Sequence, residues 1–225
     1  MDIIKIYKLF LKNHTVFTDS RKIKGKGIFF ALKGENFNGN KFVDNALKAG
    51  ATYCIVDEKK IANKKNIIYV NDSLKTLQDL AIYHRNQLSI PIIGITGSNG
   101  KTTSKELISQ VLKSEINCYS TKGNLNNHIG VPLSILEINS NHKVAVIEMG
   151  ANHLNEINFL CNISKPTHGI ITNIGSAHLQ GFKNIDGVIK TKNELYEYIQ
   201  SRTQDETKEK NENNFLQHVG CELFK

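Results

Sequence analysis

The sequence predicts an α/β protein made of two consecutive units: a small N-terminal α/β unit, then a parallel sheet that carries a phosphate-binding loop. Three observations support this. The first is Gly94-Ile95-Thr96-Gly97-Ser98-Asn99-Gly100-Lys101-Thr102-Thr103, which follows the apolar run Ile90 to Ile93 and leads into the helical text of Ser104 to Ile108. Strand, glycine-rich turn, Gly-Lys-Thr and helix is the order of a nucleoside-triphosphate loop. The second is a set of β-branched runs, Ile92 to Thr96, Val144 to Ile147 and Gly169 to Thr172, each ending in polar residues or glycine. Continuous apolar strands separated by helices indicate a parallel sheet buried on both faces. The third is Pro91, which punctuates the chain between the units and sets an expected boundary near residue 89.

The first unit, residues 1–88, opens with Ile3, Ile4, Tyr7, Phe10 and Leu11 on one helical face. A polar turn, Thr18-Asp19-Ser20-Arg21, precedes the strand candidate Ile28 to Leu32, which closes in Lys33-Gly34-Glu35-Asn36-Phe37-Asn38-Gly39. A helix from about Lys41 to Ala49 stops at Gly50, placed to adopt the left-handed conformation after a helix end. Tyr53 to Val56 and Ile67 to Val70 read as strands, and Asp72 or Ser73 caps a helix reaching about Leu88.

In the second unit, residues 89–200, the loop residues Gly97, Ser98, Asn99, Gly100, Lys101, Thr102 and Thr103 form the expected nucleoside-triphosphate-binding set. Glycines let successive N–H groups turn into one cup, and the following helix adds its positive end. Lys101 suits the β- and γ-phosphates, and the Thr102 hydroxyl suits Mg²⁺. The strict spacing would put the first glycine at position 95, which is isoleucine; glycines stand at 94 and 97. Ligands of parallel sheets collect at the carboxyl ends of strands, so the three strand ends should converge, with Glu148 meeting the metal held by Thr102. Asn124-Leu125-Asn126-Asn127-His128-Ile129-Gly130-Val131-Pro132 is dense in amides, which suit a sugar, phosphate or peptide ligand and equally suit a plain turn. A last amphipathic helix runs from Asn184 through Ile199 and contains Lys190, Lys192 and Glu194. Residues 201–225 turn almost wholly polar at first and then lose any period, the text of a disordered tail or one foreign to the fold.

Composition narrows the class. The 225 residues are 40% hydrophobic and 22% charged, as in soluble globular proteins. The net charge of +8 is spread along the chain with no nucleic-acid motif, so it reads as a solvated lysine-rich surface that also attracts small anions. Cys54, Cys118, Cys161 and Cys221 form no C-x-x-C pair and read as reduced cysteines of a cytoplasmic protein. Asp2, Lys5 and Lys8 interrupt the N-terminal apolar residues, so neither a signal peptide nor membrane insertion is expected.

Taken together, the loop, the amide-rich stretch, Glu148-Met149-Gly150-Ala151-Asn152 and Asn173-Ile174-Gly175-Ser176-Ala177-His178-Leu179-Gln180-Gly181-Phe182 resemble the Mur ligases over residues 18–199. The resemblance is to the type that joins D-alanyl-D-alanine to UDP-N-acetylmuramoyl-tripeptide, with ATP and Mg²⁺. Asp19-Ser20-Arg21 and Phe30-Ala31-Leu32-Lys33-Gly34 are shared with the neighbouring type that adds the third amino acid. The resemblance accounts for the early first glycine. It implies Lys101, Lys192 and His178 as catalytic, Thr102, Glu148, His178 and a CO₂-derived carbamate on Lys192 as the metal set, and Ser20, Arg21, Asn38, Asn126 and Asn127 toward the substrates. Without it Lys192 would read as a surface lysine and His178 as a structural histidine; imidazole is a poor partner for Mg²⁺, so His178 enters through the resemblance alone. Asn155 stands where the family usually has glycine, and Asn40 where histidine is common. Family members continue with further strands and a third domain, so a truncated or frameshifted product is expected here, with an open sheet edge; the full-length protein is expected to be a monomer. A non-catalytic nucleotide- or UDP-sugar-binding remnant, or a ligase using another amino acid or a folate, are the alternatives; Asp19-Ser20-Arg21 disfavours the folate variant.

Overall fold

The computed structural model describes residues 2–175, 182 and 184–212, with side chains as far as residue 204. His178, residues 213–225 and Cys221 among them lie outside the described residues. The chain forms two four-stranded sheets, both parallel throughout, with helices packed on them.

Sheet 1 takes the order β1 (Val16–Phe17), β2 (Ile28–Phe30), β5 (Tyr53–Val56), β6 (Ile67–Tyr69). A small antiparallel hairpin, β3 (Lys33–Gly34) and β4 (Phe37–Asn38), follows β2. Alternation along the strands divides the side chains between two faces. Ile28, Phe30 and Ile55 join the core beneath α1 (Ile3–Asn13) and α3 (Ser73–Asn86), whereas Phe29, Cys54 and Val56 pack with Val43 and Ala46 of α2 (Val43–Lys48). Gly50, at φ +109°, ends α2 as expected. The α1 face is corrected by the structure: Ile6 and Phe10 are buried, whereas Ile4 and Leu11 are exposed. Apolar residues almost all round this helix left its inward direction undecided, and packing against α3 chose it.

Sheet 2 takes the order β10 (His168–Ile171), β7 (Ile92–Thr96), β9 (Val144–Glu148), β8 (Cys118–Ser120). Its Ile92, Ala145 and Ile147 face α3, α5 (Gly130–Leu136), α6 (Glu156–Ser164) and α7 (Ile185–Glu212). Its Ile95, Val144 and Val146 face α4 (Lys101–Lys113), with Ile108 and Leu112 against them. Among the described residues β10 and β8 are the outer strands of this sheet, and on β10 Ile170 and Ile171 are half-buried.

Helix α3 belongs to both layers. Asp72 caps it, accepting a bond from the Lys75 N–H, as the sequence indicated. Leu77, Leu80 and Ala81 are completely buried in a core that runs unbroken from sheet 1 to sheet 2. Each buried leucine contributes about 2 kcal/mol. One core thus packs against both sheets. The final helix also runs past the residue-200 stop read from the sequence, to Glu212, through Lys, Glu and Gln residues that favour helix.

Candidate active site

The carboxyl ends of β7, β9 and β10 converge as expected, and they meet at the phosphate loop. Gly97, at φ +144°, turns the chain out of β7; a Cβ there would lie 2.0 Å from the Thr172 hydroxyl oxygen. The segment after β10 holds the loop in place. Ser98 N–H donates to the Asn173 carbonyl (3.1 Å), Asn99 N–H to the Asn173 side-chain oxygen (2.8 Å), and the Thr172 hydroxyl to the Asn99 carbonyl (2.6 Å). The Ser98 hydroxyl accepts from Gly175 N–H at 3.0 Å. Gly100, at φ +76°, caps α4, whose first N–H groups have no carbonyl partner within the helix.

Lys101 folds back over this loop, its Nζ donating to the carbonyls of Gly97 (2.7 Å) and Ser98 (3.2 Å). Burial pushes its pKa down, and Glu148 partly restores it. The Thr102 hydroxyl donates to Glu148 Oε2 at 3.0 Å, and Asn126 Nδ2 donates to Glu148 Oε1 at 2.9 Å. Glu148 itself is 1% exposed. Thr102 and Glu148 are hard oxygen donors on adjoining elements, a set that fits Mg²⁺ bound together with phosphate and water. Among the described residues there is no group of three or more His, Cys, Asp or Glu placed to hold a metal ion.

Lys192 reaches the same place from α7. It is 3% exposed, and its ammonium lies 5.6 Å from the centre of the Phe182 ring. Burial first, then the Lys101 charge, pull its pKa down to about 8 against the opposing pull of Glu194 and Glu156. Lys101, Lys192, Ser98, Asn126, Asn127 and Phe182 line one cavity of about 350 Å³.

Two residues that were not singled out for a role join α6 to the helix that carries Lys192. Asn155 adopts the left-handed conformation, φ +67°, at the start of α6, which is why a glycine suits this position. Buried Glu194 accepts from the N–H groups of Asn155 (2.7 Å) and Asn158 (2.9 Å), so α7 caps α6 from outside it. In sequence Glu194 is a charged residue on a polar-faced helix, with nothing to mark it as a cap.

The amide-rich stretch splits between its two readings. Asn126 faces Glu148, while the Asn127 side-chain oxygen accepts from Ile129 and Gly130 N–H and so initiates α5, though Asn127 also lines the cavity. Ser20, Arg21 and Asn38 do not line it. Arg21 is an exposed partner of Asp19 at 2.8 Å and holds that carboxyl down to about 2. Asn38 donates to Glu58 at 2.8 Å and its oxygen accepts from Asn40.

The chain matches the Mur ligase family catalytic domain over residues 12–87 and the Mur ligase middle domain over residues 95–216. The UDP-N-acetylmuramoyl-tripeptide--D-alanyl-D-alanine ligase of Bacillus subtilis (strain 168) is 40% identical over 184 residues, which are 81% of this chain and 40% of that protein. The protein of the same name from Escherichia coli (strain K12) is 38% identical over 181 residues, 80% and 40% of the two chains. Among solved structures, MurF from Acinetobacter baumannii superposes with a TM-score of 0.77 at 39% identity, over 82% of this chain and 41% of that one. MurF ligase from Thermotoga maritima in complex with ADP superposes at 0.75 and 35% identity, over 84% and 44%. The chain thus spans about two fifths of the length of the curated relatives it matches. With both domain types present in order around a phosphate loop of this geometry, the chain belongs to the Mur ligase family.

Proposed function

We propose that this chain supplies the nucleotide-binding part, and the UDP-sugar-binding part, of a cytoplasmic ligase that adds D-alanyl-D-alanine to UDP-N-acetylmuramoyl-tripeptide at the expense of ATP. The carrying observation is that Lys101 and Lys192 line one cavity together with Asn126, whose amide holds Glu148 against the Thr102 hydroxyl. No helix among the described residues is long and apolar enough to cross a membrane.

In this reading the tripeptide carboxylate attacks the γ-phosphorus, forming an acyl phosphate and expelling ADP. The dipeptide amine then attacks the acyl carbon and phosphate leaves. The first step drives one anion against another. Lys101 and the N-terminus of α4 offset that repulsion; a unit charge about 4 Å away contributes about 4 kcal/mol at an effective dielectric near 20. One Mg²⁺, which Thr102 and Glu148 would hold, and a second, to which His178 would contribute, would neutralise phosphate charge, with a Lys192 carbamate as a further anionic oxygen ligand. Lys192 suits carbamylation because its lowered pKa leaves roughly a tenth of the amine unprotonated at pH 7. Its nitrogen bonds to the CO₂ carbon, a proton goes to solvent, and the repulsive ammonium becomes an anion. Ser20, Arg21 and Asn38 serve the UDP-sugar end, and Asn126 and Asn127 the peptide side.

ADP binding by titration calorimetry, with Lys101→Ala as control, tests the nucleotide reading; phosphate release with MgATP and both substrates tests the ligation. Support is ADP binding that falls at least about thirtyfold in the variant. Failure of the unaltered chain to bind either ADP or UDP-N-acetylmuramoyl-tripeptide would sink the proposal.

A further inference from the structure

Lys105 is the most deeply buried lysine among the described residues, with no exposed surface, and the chemistry above does not use it. It lies on α4 three residues after Thr102, on the same helix face. Its Nζ donates to the carbonyls of Thr121 (2.8 Å) and Gly123 (3.2 Å), and sits 3.0 Å from Glu106 Oε1 and 3.8 Å from Glu148 Oε2. A buried ammonium costs several kcal/mol unless partners surround it, so a methionine would fill this space at less cost. The partners indicate what the charge is for.

Those partners belong to the segment that orients Glu148. The Thr121 hydroxyl accepts from Glu148 N–H at 3.0 Å, and Thr121 N–H donates to the Val146 carbonyl, fixing the segment against β9. A few residues on, Asn126 holds the other carboxylate oxygen, Oε1, and its carbonyl accepts from Gly150 N–H. Glu148 Oε2 is left facing the Thr102 hydroxyl, with the Lys105 ammonium beside it.

We infer that Lys105 is a positioning residue: it ties residues 121–126 to the phosphate-loop helix, and through them aims Glu148 at the cation that accompanies the nucleotide. It touches neither nucleotide nor metal. The inference rests on the nucleotide reading proposed above. Charge alone would give the opposite behaviour, because a cation beside Glu148 repels a metal and its removal would tighten metal binding. Positioning demands that removal loosen it, since outer partners of a metal ligand typically contribute tenfold or more to affinity.

The test uses Mn²⁺ as the probe, followed by electron paramagnetic resonance on the 225-residue chain with saturating ADP. In Lys105→Met, Mn²⁺ affinity should fall about tenfold or more, with ADP affinity in chelator within about twofold of the unaltered chain. Glu106→Gln, which removes only the half-exposed partner, should leave both within about twofold. Unchanged or tighter Mn²⁺ binding in folded Lys105→Met overturns the inference. If that variant does not fold, the Lys105 ammonium resonance of the unaltered chain decides: it should shift more on adding Mg²⁺ with ADP than ADP alone, and an equal response overturns the inference. Should the unaltered chain bind no ADP, the nucleotide reading fails instead, which is a separate outcome.

Discussion

Sheet 1 and sheet 2 have the same strand count and the same parallel sense, yet they treat charge at their carboxyl ends in opposite ways. Beyond sheet 1, Lys33 pairs with Asp57 at 2.9 Å and Asn40 Nδ2 donates to Asp57 at 2.8 Å; the lysine stays 44% exposed and the network satisfies itself. Burial pushes the Asp57 carboxyl up, but Lys33 and Asn40 more than offset it, so it stays ionised below the usual range. Beyond sheet 2, Lys105, Glu148, Lys192 and Glu194 are all buried, and the Lys101 and Lys192 charges repel each other. Parallel topology places a crevice at both ends. The turn that follows the strand decides whether that crevice keeps its charge in an exposed local pair or buries it around a cavity.

The strongest way to break this contrast is Gly97→Ala. The new methyl meets the Thr172 hydroxyl and the positive φ is strained, so the loop should open. ADP affinity is expected to fall at least about a hundredfold, about 3 kcal/mol, read by calorimetry, with far-ultraviolet dichroism unchanged. Retained affinity would mean that the tight turn is dispensable.

Lys192→Met sharpens the comparison by removing a stored charge. The folded pKa is about 8 and the ordinary value 10.5, so the unfolded chain holds the proton more tightly. The charged side chain therefore costs the fold its full penalty below about pH 8, less as pH rises toward 10.5, and nothing above. That penalty is about 3 kcal/mol. Urea unfolding in CO₂-free buffer should show the variant more stable at pH 7, with the advantage shrinking by pH 9.5. An advantage independent of pH would place the effect in packing instead.

The smallest effect is expected from Asn40→Ala in sheet 1. Loss of the buried amide's bonds to Asp57 and Asn38 should cost about 1–3 kcal/mol in urea unfolding. ADP affinity should not change, because this network stands outside the cavity. A coupled loss of nucleotide binding would show the two ends to be one site.

Legibility in the sequence followed the same division. Strands β7, β9 and β10 were readable because long β-branched runs end abruptly in polar residues, and Lys101, Thr102 and Glu148 could be placed from those ends. Strands β1 and β8 were not, being two and three residues held by pairing rather than by pattern. Helix α5 hides behind the amides that start it, and Pro132 in its first turn reads as a breaker although that position tolerates proline. Lys192 was readable only through family resemblance. Lys105 and Glu194 could not be read at all: a charged residue on a helix signals solvent, and only the tertiary partners show otherwise.

The cap that Glu194 places on α6 arrives late in synthesis. The two partners stand 39 residues apart, and the acceptor lies on the downstream side. A nascent chain halted before residue 194 carries α6 with two bare amides at its start. The helix that bears Lys192 therefore completes the first turn of α6 only once it has itself been made and docked.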